Sequence, residues 1–167
     1  MNIRIGMGFD VHELEAGRNF YLGGIQLTDA PKGAVGHSDA DVLIHALCDA
    51  LLGAANLRDI GYHFSNTDKR WKGMDSKFFL QEVTKLLAEK KWRVGNVDCT
   101  IVLEKPKINP HIEAMKKVLA PLMNVEEDAV SIKATTNETL GYVGREEGVC
   151  AYAVALIYKE ASLAMNT

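Results

Sequence analysis

The 167-residue chain is the size of one ordinary domain, and its 47% apolar and 25% charged composition is that of a soluble globular protein. A formal charge of -3 gives no basic footprint for nucleic acid, no apolar run approaches the roughly 20 residues that cross a bilayer, and MNIRIGMGFDVHE enters a strand pattern with no secretory leader. Cys48, Cys99 and Cys150 are odd in number and far apart, which argues against a disulfide framework or a CxxC zinc site and for buried, reduced thiols in a cytoplasmic protein.

Asn2 to Val11 reads as a strand in which Ile3, Ile5, Met7 and Phe9 alternate with Arg4, Gly6 and Gly8. Phe20 to Leu27 holds two short apolar pieces broken by Gly23-Gly24, a hairpin pattern. A Gly- and Pro-containing loop, Thr28 to Ser38, leads to a helix from Asp39 to Ala55 capped by Ser38 or Asp39. Asn56 to Gly73 is a long irregular segment, and such a length marks a functional loop. Ser76 to Lys90 is an amphipathic helix with Phe79, Leu80, Val83, Leu86 and Leu87 on one face, and Val94 to Leu103 is a strand. Asn109-Pro110 has the form of an N-cap with proline at the first helical position. It opens a helix that turns Ile112, Met115, Val118, Leu119 and Leu122 inward. Val130 to Thr135 and Val149 to Tyr158 are strands joined by TNETLGYVGREEG. The residues from Ala161 carry no pattern and are expected to fray. Residues 1–160 are expected to form one α+β domain, a two-layer sandwich of a mixed β-sheet with helices on one face.

Asp10 and His12 are two apart in a strand, so both side chains leave the same face. A carboxylate and an imidazole together are half of a zinc site, although an isolated D-x-H also fits a strand end running into solvent. The helix after residue 39 is apolar nearly all round, which marks it as buried or packed on another subunit. Along it Asp41, His45 and Asp49 form one polar stripe. His45 is either a metal ligand oriented by Asp41 or Asp49, or a core histidine satisfied by them. With Asp10 and His12 it completes three ligands, the number a catalytic zinc keeps beside an open position.

Other segments carry weaker signals. His37 and Ser38 precede a helix N-terminus and either meet a phosphoryl oxygen or serve as loop and cap. Thr135, Thr136, Asn137 and Glu138 follow a strand, where hydroxyls and N–H groups suit phosphate and the carboxylate suits magnesium or manganese. Arg145 offers a planar cation for diphosphate, while Glu146 and Glu147 read as scattered surface charge. Lys105, Pro106 and Lys107 form either a base-reading turn or a solvated one. His63 and His111 read as surface or capping residues.

In combination, RIGMGFDVH, HSDAD, LIHALCDALLGAANLRDIG, GNVDCTIVLEKPKINPHI and IKATTNETLGYVGREEG resemble the 2-C-methyl-D-erythritol 2,4-cyclodiphosphate synthases of the non-mevalonate isoprenoid pathway, in order and at family spacing. The resemblance implies a homotrimer that converts 4-diphosphocytidyl-2-C-methyl-D-erythritol 2-phosphate into the cyclic diphosphate and CMP, a lyase reaction. It implies zinc on Asp10, His12 and His45, and a second divalent cation, magnesium or manganese, near Glu138. His37 and Thr136 match positions that stabilise the transition state, and Ser38 matches a substrate contact. Asp59, Ile60 and Gly61 match the segment that holds the methylerythritol and ribose. Phe64, Ser65, Asn66, Thr67 and Asp68 match the following substrate loop. Leu103, Glu104, Lys105, Pro106, Lys107, Ile108 and Asn109 match the cytosine-binding turn supplied by a neighbouring subunit. Phe9, Tyr142 and Arg145 match the lining of a cavity on the trimer axis that can hold an isoprenoid diphosphate. Departures from the family's usual residues fall at Ala40, Ser65, Asn66, Leu103, Glu104, Lys105 and Tyr142.

Overall fold

In the computed structural model residues 2–159 are described. The tail from Ala161, expected to fray, lies outside them. The first strand, β1, runs from Asn2 to Ala16 and is followed by the hairpin β2 (Tyr21–Leu22) and β3 (Ile25–Gln26) and by β4 (Lys32–Ala34). The helix α1 covers Val42–Ala54, and a short α2 covers Ile60–His63. Then come α3 (Ser76–Glu89), β5 (Arg93–Val102), α4 (Ile112–Met123), β6 (Val130–Thr135), α5 (Gly141–Gly144) and β7 (Gly148–Lys159). The main sheet has the order β4-β1-β7-β5-β6. Only β5 and β6 pair in parallel among these neighbours, so the sheet is mixed. The expected α+β class holds.

The alternation in β1 places its small residues inward. Gly6, Gly8, Asp10 and His12 share the face covered by α1. A Cβ at Gly8 would lie 2.0 Å from the Ala46 carbonyl oxygen, and one at Gly6 would lie 2.0 Å from that of Ala50. Glycine is therefore required for the helix backbone to rest directly on the strand. Ala46, Ala50 and Ala54 form the matching small stripe on α1, and the fully buried Ala151, Ala153 and Ala155 of β7 continue the floor. α1 is buried within its own chain between sheet and α3, so its apolar circumference is accounted for without another subunit. Among the described residues the opposite face of β1 is left exposed. Ile5 is 70% and Met7 64% exposed, and Phe9 packs tilted against Tyr152 at 4.9 Å between ring centroids.

The start of α1 corrects the expected cap. Asp41, not Ser38 or Asp39, is the N-cap, accepting from the Ile44 N–H at 3.1 Å. Its carboxylate also accepts the N–H groups of Gly23 at 2.9 Å and Gly24 at 2.7 Å in the β2–β3 turn. One buried acid thus ties the hairpin to the helix, and the tertiary contacts decide which of several capping residues is used. Ala40 stands just before it with φ 60, the left-handed region where glycine is easier to place. The Asn109-Pro110 signal also shifts: it opens a 3-10 turn, Asn109–His111, before α4 begins.

Candidate active site

At one end of the α1–β1 contact, Asp10 and His12 of the strand meet His45 of the helix. His45 Nδ1 lies 3.0 Å from Asp10 Oδ2, His12 Nε2 lies 3.1 Å from the same oxygen, and the two ring nitrogens are 3.1 Å apart. Three donor atoms at the corners of a near-equilateral triangle fit one small cation: tetrahedral ligands about 2.0–2.1 Å from zinc stand about 3.3 Å from one another. The electrostatics favour positive charge. Burial works against the charged form of Asp10, but bonds and attraction from His12 and His45 hold its carboxyl well below the usual range. Burial favours a neutral His45 ring, yet the hydrogen bond and charge of Asp10, with Asp41 and Asp39 behind it, lift its pKa above the ordinary imidazole value. A cation would satisfy the same field.

Neither Asp41 nor Asp49 orients His45. Asp41 is spent on its three backbone donors, and Asp49 accepts the Ile60 N–H at 2.7 Å, where it anchors α2. The far nitrogen of His45 instead faces two hydroxyls, Ser76 Oγ at 3.0 Å and Ser38 Oγ at 3.2 Å. Ser76 heads α3 and carries no signal linking it to a histidine 31 residues away in sequence.

The metal corner opens into a cavity of about 420 Å³ lined by His12, Gly36, His37, Ser38, His45, Ile60, Gly61, Phe64, Asn66, Trp71 and Phe79. Of the expected substrate segments, Ile60, Gly61, Phe64 and Asn66 line this cavity, whereas Asp59, Ser65, Thr67 and Asp68 do not. His37 Nε2 meets the Asp68 carbonyl at 3.0 Å, Asp59 caps α2 through the Tyr62 N–H at 2.9 Å, and Ser65 and Thr67 bond to each other at 2.9 Å. The long segment 56–73 is ordered by aromatic contacts: Phe64 packs on Trp71 at 5.6 Å and on Phe79 at 5.0 Å. In sequence Phe79 reads only as part of the apolar face of its helix and Trp71 carries no signal, because aromatic residues at such spacing look like ordinary core.

A second cavity, of about 370 Å³, is lined by Leu103, Pro106, Lys107, Ile108, Asn109, Pro110, Ala134, Thr135 and Thr136. The Thr136 hydroxyl donates to Glu138 Oε1 at 3.1 Å, and Glu138 and Thr139 take φ 50 and 64. Glu104 holds this loop: one carboxylate oxygen accepts the Asn137 N–H at 2.9 Å and the Thr139 N–H at 3.3 Å. Lys105 pairs with Glu146 at 2.8 Å, and Arg145 with Glu147 at 2.9 Å, so these acids are partnered rather than scattered. Tyr142 is 42% exposed. His63 caps the Leu57 carbonyl at 2.8 Å and His111 meets Asp29 at 3.3 Å, both as expected. The three cysteines are free and buried.

The fold and the Asp–His–His corner define an α+β enzyme domain with a divalent-metal centre. A family model described as the YgbB family matches residues 3–158. The 2-C-methyl-D-erythritol 2,4-cyclodiphosphate synthase of Cytophaga hutchinsonii is 63% identical over 95% of this chain and 99% of its own length. The synthase of Parabacteroides distasonis is 56% identical over 97% and 100%. Among solved structures, a Plasmodium falciparum IspF in complex with CDP superposes with TM-score 0.85 at 29% identity, covering 96% of this chain and 98% of that one. A bifunctional IspDF from Campylobacter jejuni superposes with TM-score 0.90 at 36% identity over 95% of this chain, which spans 42% of that longer protein. The chain belongs to the YgbB family. Among the described residues no helix is long and apolar enough to cross a membrane.

Proposed function

We propose that this chain is a cyclodiphosphate synthase of non-mevalonate isoprenoid synthesis. It converts 4-diphosphocytidyl-2-C-methyl-D-erythritol 2-phosphate into 2-C-methyl-D-erythritol 2,4-cyclodiphosphate and CMP, a phosphorus–oxygen lyase reaction in the cytoplasm. The observation that carries the reading is the Asp10–His12–His45 triangle opening into the cavity walled by His37, Ser38 and the 60–71 segment. The relatives that share the chain's full length carry this activity in their names.

An oxygen of the substrate's own 2-phosphate attacks the β-phosphorus. The bond from that phosphorus to the bridging oxygen breaks, and CMP leaves with the bridging oxygen and its electron pair. The nucleophile is already ionised and already tethered, so orientation can supply up to ~7–11 kcal/mol of the barrier. Asp10, His12 and His45 would hold zinc and Glu138 would hold magnesium or manganese, and the bound cations would offset the negative charge of the phosphates and of the departing CMP. Ile60 and Gly61, with Asp59 capping their helix, hold the methylerythritol and ribose. Phe64, Ser65, Asn66, Thr67 and Asp68 close over them. His37, anchored through Asp68, and Thr136 stabilise the charge that develops in the transition state. The turn from Leu103 to Asn109, with Thr135 and Asn137 beside it, receives the cytosine.

Assembly as a homotrimer brings these pieces together. The turn lies at the same end of the sheet as His12, since Val102 pairs with Cys150 and Thr135 while His12 pairs with Val149. It leaves β5, two strand positions from β1, with β6 a third beyond, roughly 10–14 Å at about 4.8 Å each. One substrate spanning both cavities is best served by the turn of a second copy. The exposed apolar face of β1 supplies the surface for that contact. An isoprenoid diphosphate in a cavity on the trimer axis would meet Phe9, Tyr142 and Arg145, drawing Arg145 from Glu147.

Incubation with the proposed substrate, zinc and magnesium, read by phosphorus NMR, tests the reaction. Cyclic diphosphate and CMP are expected. A linear 2,4-bisphosphate beside CMP, or inorganic phosphate released from the 2-position, would make the protein a metal-dependent phosphohydrolase instead.

A further inference from the structure

We propose that Ser76 and Asp39 are positioning residues that lock His45 in the one tautomer able to offer Nδ1 to a metal. The inference rests on reading Asp10, His12 and His45 as the metal centre and extends it to residues that touch neither ion nor substrate.

The direction of each bond follows from chemistry. An ionised Asp39 carboxylate only accepts hydrogen bonds. One of its oxygens takes the Ser76 backbone N–H at 3.0 Å, and the other takes the Ser76 hydroxyl proton in a short bond. With its proton committed to Asp39, the Ser76 oxygen has only lone pairs left for His45, 3.0 Å away. His45 Nε2 must then be the donor. An imidazole protonated at Nε2 leaves a lone pair on Nδ1, the nitrogen that points at Asp10 and His12. The relay therefore runs from carboxylate to hydroxyl to imidazole and ends at the metal position.

Burial and the backbone make the relay rigid. Ser76 has no exposed surface, so water does not compete for its hydroxyl. Asp39 is held from both sides, its N–H donating to the Met74 carbonyl at 3.0 Å while the neighbouring His37 carbonyl accepts the Gly73 N–H at 2.8 Å. Segments 37–39 and 73–76 are thereby clamped together, and α3 begins at the clamp. Ser38 is the weaker candidate for the same task. Its oxygen is 3.2 Å from His45 and also accepts the Ala40 N–H at 3.3 Å, and its proton has no carboxylate to fix its direction.

The test is zinc affinity of the full chain, measured on metal-stripped protein against a competing chromogenic chelator, with the visible spectrum of the cobalt(II) form as a second readout. Ser76→Ala should weaken zinc binding about 10–100-fold, the range for losing a partner of a ligand histidine. It should also alter the cobalt spectrum, while the metal-free protein still unfolds cooperatively. Asp39→Asn, which keeps the shape of the clamp, should weaken zinc several-fold and serves if Ser76→Ala does not fold. Ser38→Ala should change zinc affinity less than either. Wild-type zinc affinity in Ser76→Ala or in Asp39→Asn overturns the proposal, as does a larger loss in Ser38→Ala. His45→Ala, run alongside, separates the two readings. If it binds zinc normally, the metal centre itself is wrong. If it loses zinc and Ser76→Ala does not, only the relay fails. No substrate is used, so the outcome is independent of which reaction the protein catalyses.

Discussion

The two ends of the proposed site are built by opposite means. Asp10, His12 and His45 stand on a strand and a helix whose backbones touch, and the donor atoms already lie 3.0–3.1 Å apart. Thr136 and Glu138 stand on an exposed loop with two non-glycine residues at positive φ, held by a single carboxylate from Glu104. On the proposed reading, the fold alone completes the Asp10, His12 and His45 position, while Glu138 would be the one protein ligand of a second position completed by substrate oxygens and water, as suits magnesium. Rigid secondary structure supplies the first, and loop chemistry the second.

The largest effect expected is on the finished centre. Gly8→Ala puts a methyl group 2.0 Å from the Ala46 carbonyl, one residue along the helix from His45. The helix must lift, at a cost of about 3 kcal/mol by overpacking, and His45 moves away from Asp10 and His12. Thermal unfolding and elemental analysis should show a destabilised chain with zinc lost. A chain that keeps both stability and zinc would mean that the glycine contact does not set the site.

Ile5→Asp separates the two ends differently. It places a charge on the outer sheet face, away from α1, so zinc should be retained. Sedimentation should show the trimer dissociated and activity lost, because the second cavity no longer has a neighbour to serve. A stable, active monomer would refute the shared site.

Within the loop, Glu138→Gln should leave zinc unchanged and raise the magnesium concentration for half-maximal rate roughly tenfold, equivalent to about 1.4 kcal/mol of lost attraction. Loss of zinc in this variant would place Glu138 in the first centre. The smallest effect is expected at Glu104. Glu104→Gln weakens its bonds to Asn137 and Thr139 by about 0.5–1 kcal/mol, so the magnesium requirement should shift only two- to fivefold. An equal response in both variants would make Glu104 a ligand rather than a support.

The finished centre was also the more legible in sequence. Period two places Asp10 beside His12, and the apolar helix around His45 demands a partner for a buried imidazole. What sequence left undecided was set by tertiary contact. Alternating Ile3, Ile5, Met7 and Phe9 look like a core face, yet the glycines point inward because a helix backbone needs their space. S-D-A-D offers several caps, and the hairpin N–H groups at Gly23 and Gly24 select Asp41. Ser76 is visible only once α3 is docked. Trp71 and Phe79 reveal a cavity wall only when segment 56–73 folds over His45. Thr136 and Glu138 give only the weak signal of a hydroxyl-rich turn after a strand, and it is the family motif that assigns them separate roles.

The difference between the two centres is measured most directly by manganese binding to the zinc-loaded protein, followed by electron paramagnetic resonance with and without CDP. Manganese should remain free when the protein is alone and become bound once CDP supplies phosphate oxygens beside Glu138. Tight binding of manganese without nucleotide, with zinc still in place, would contradict the account.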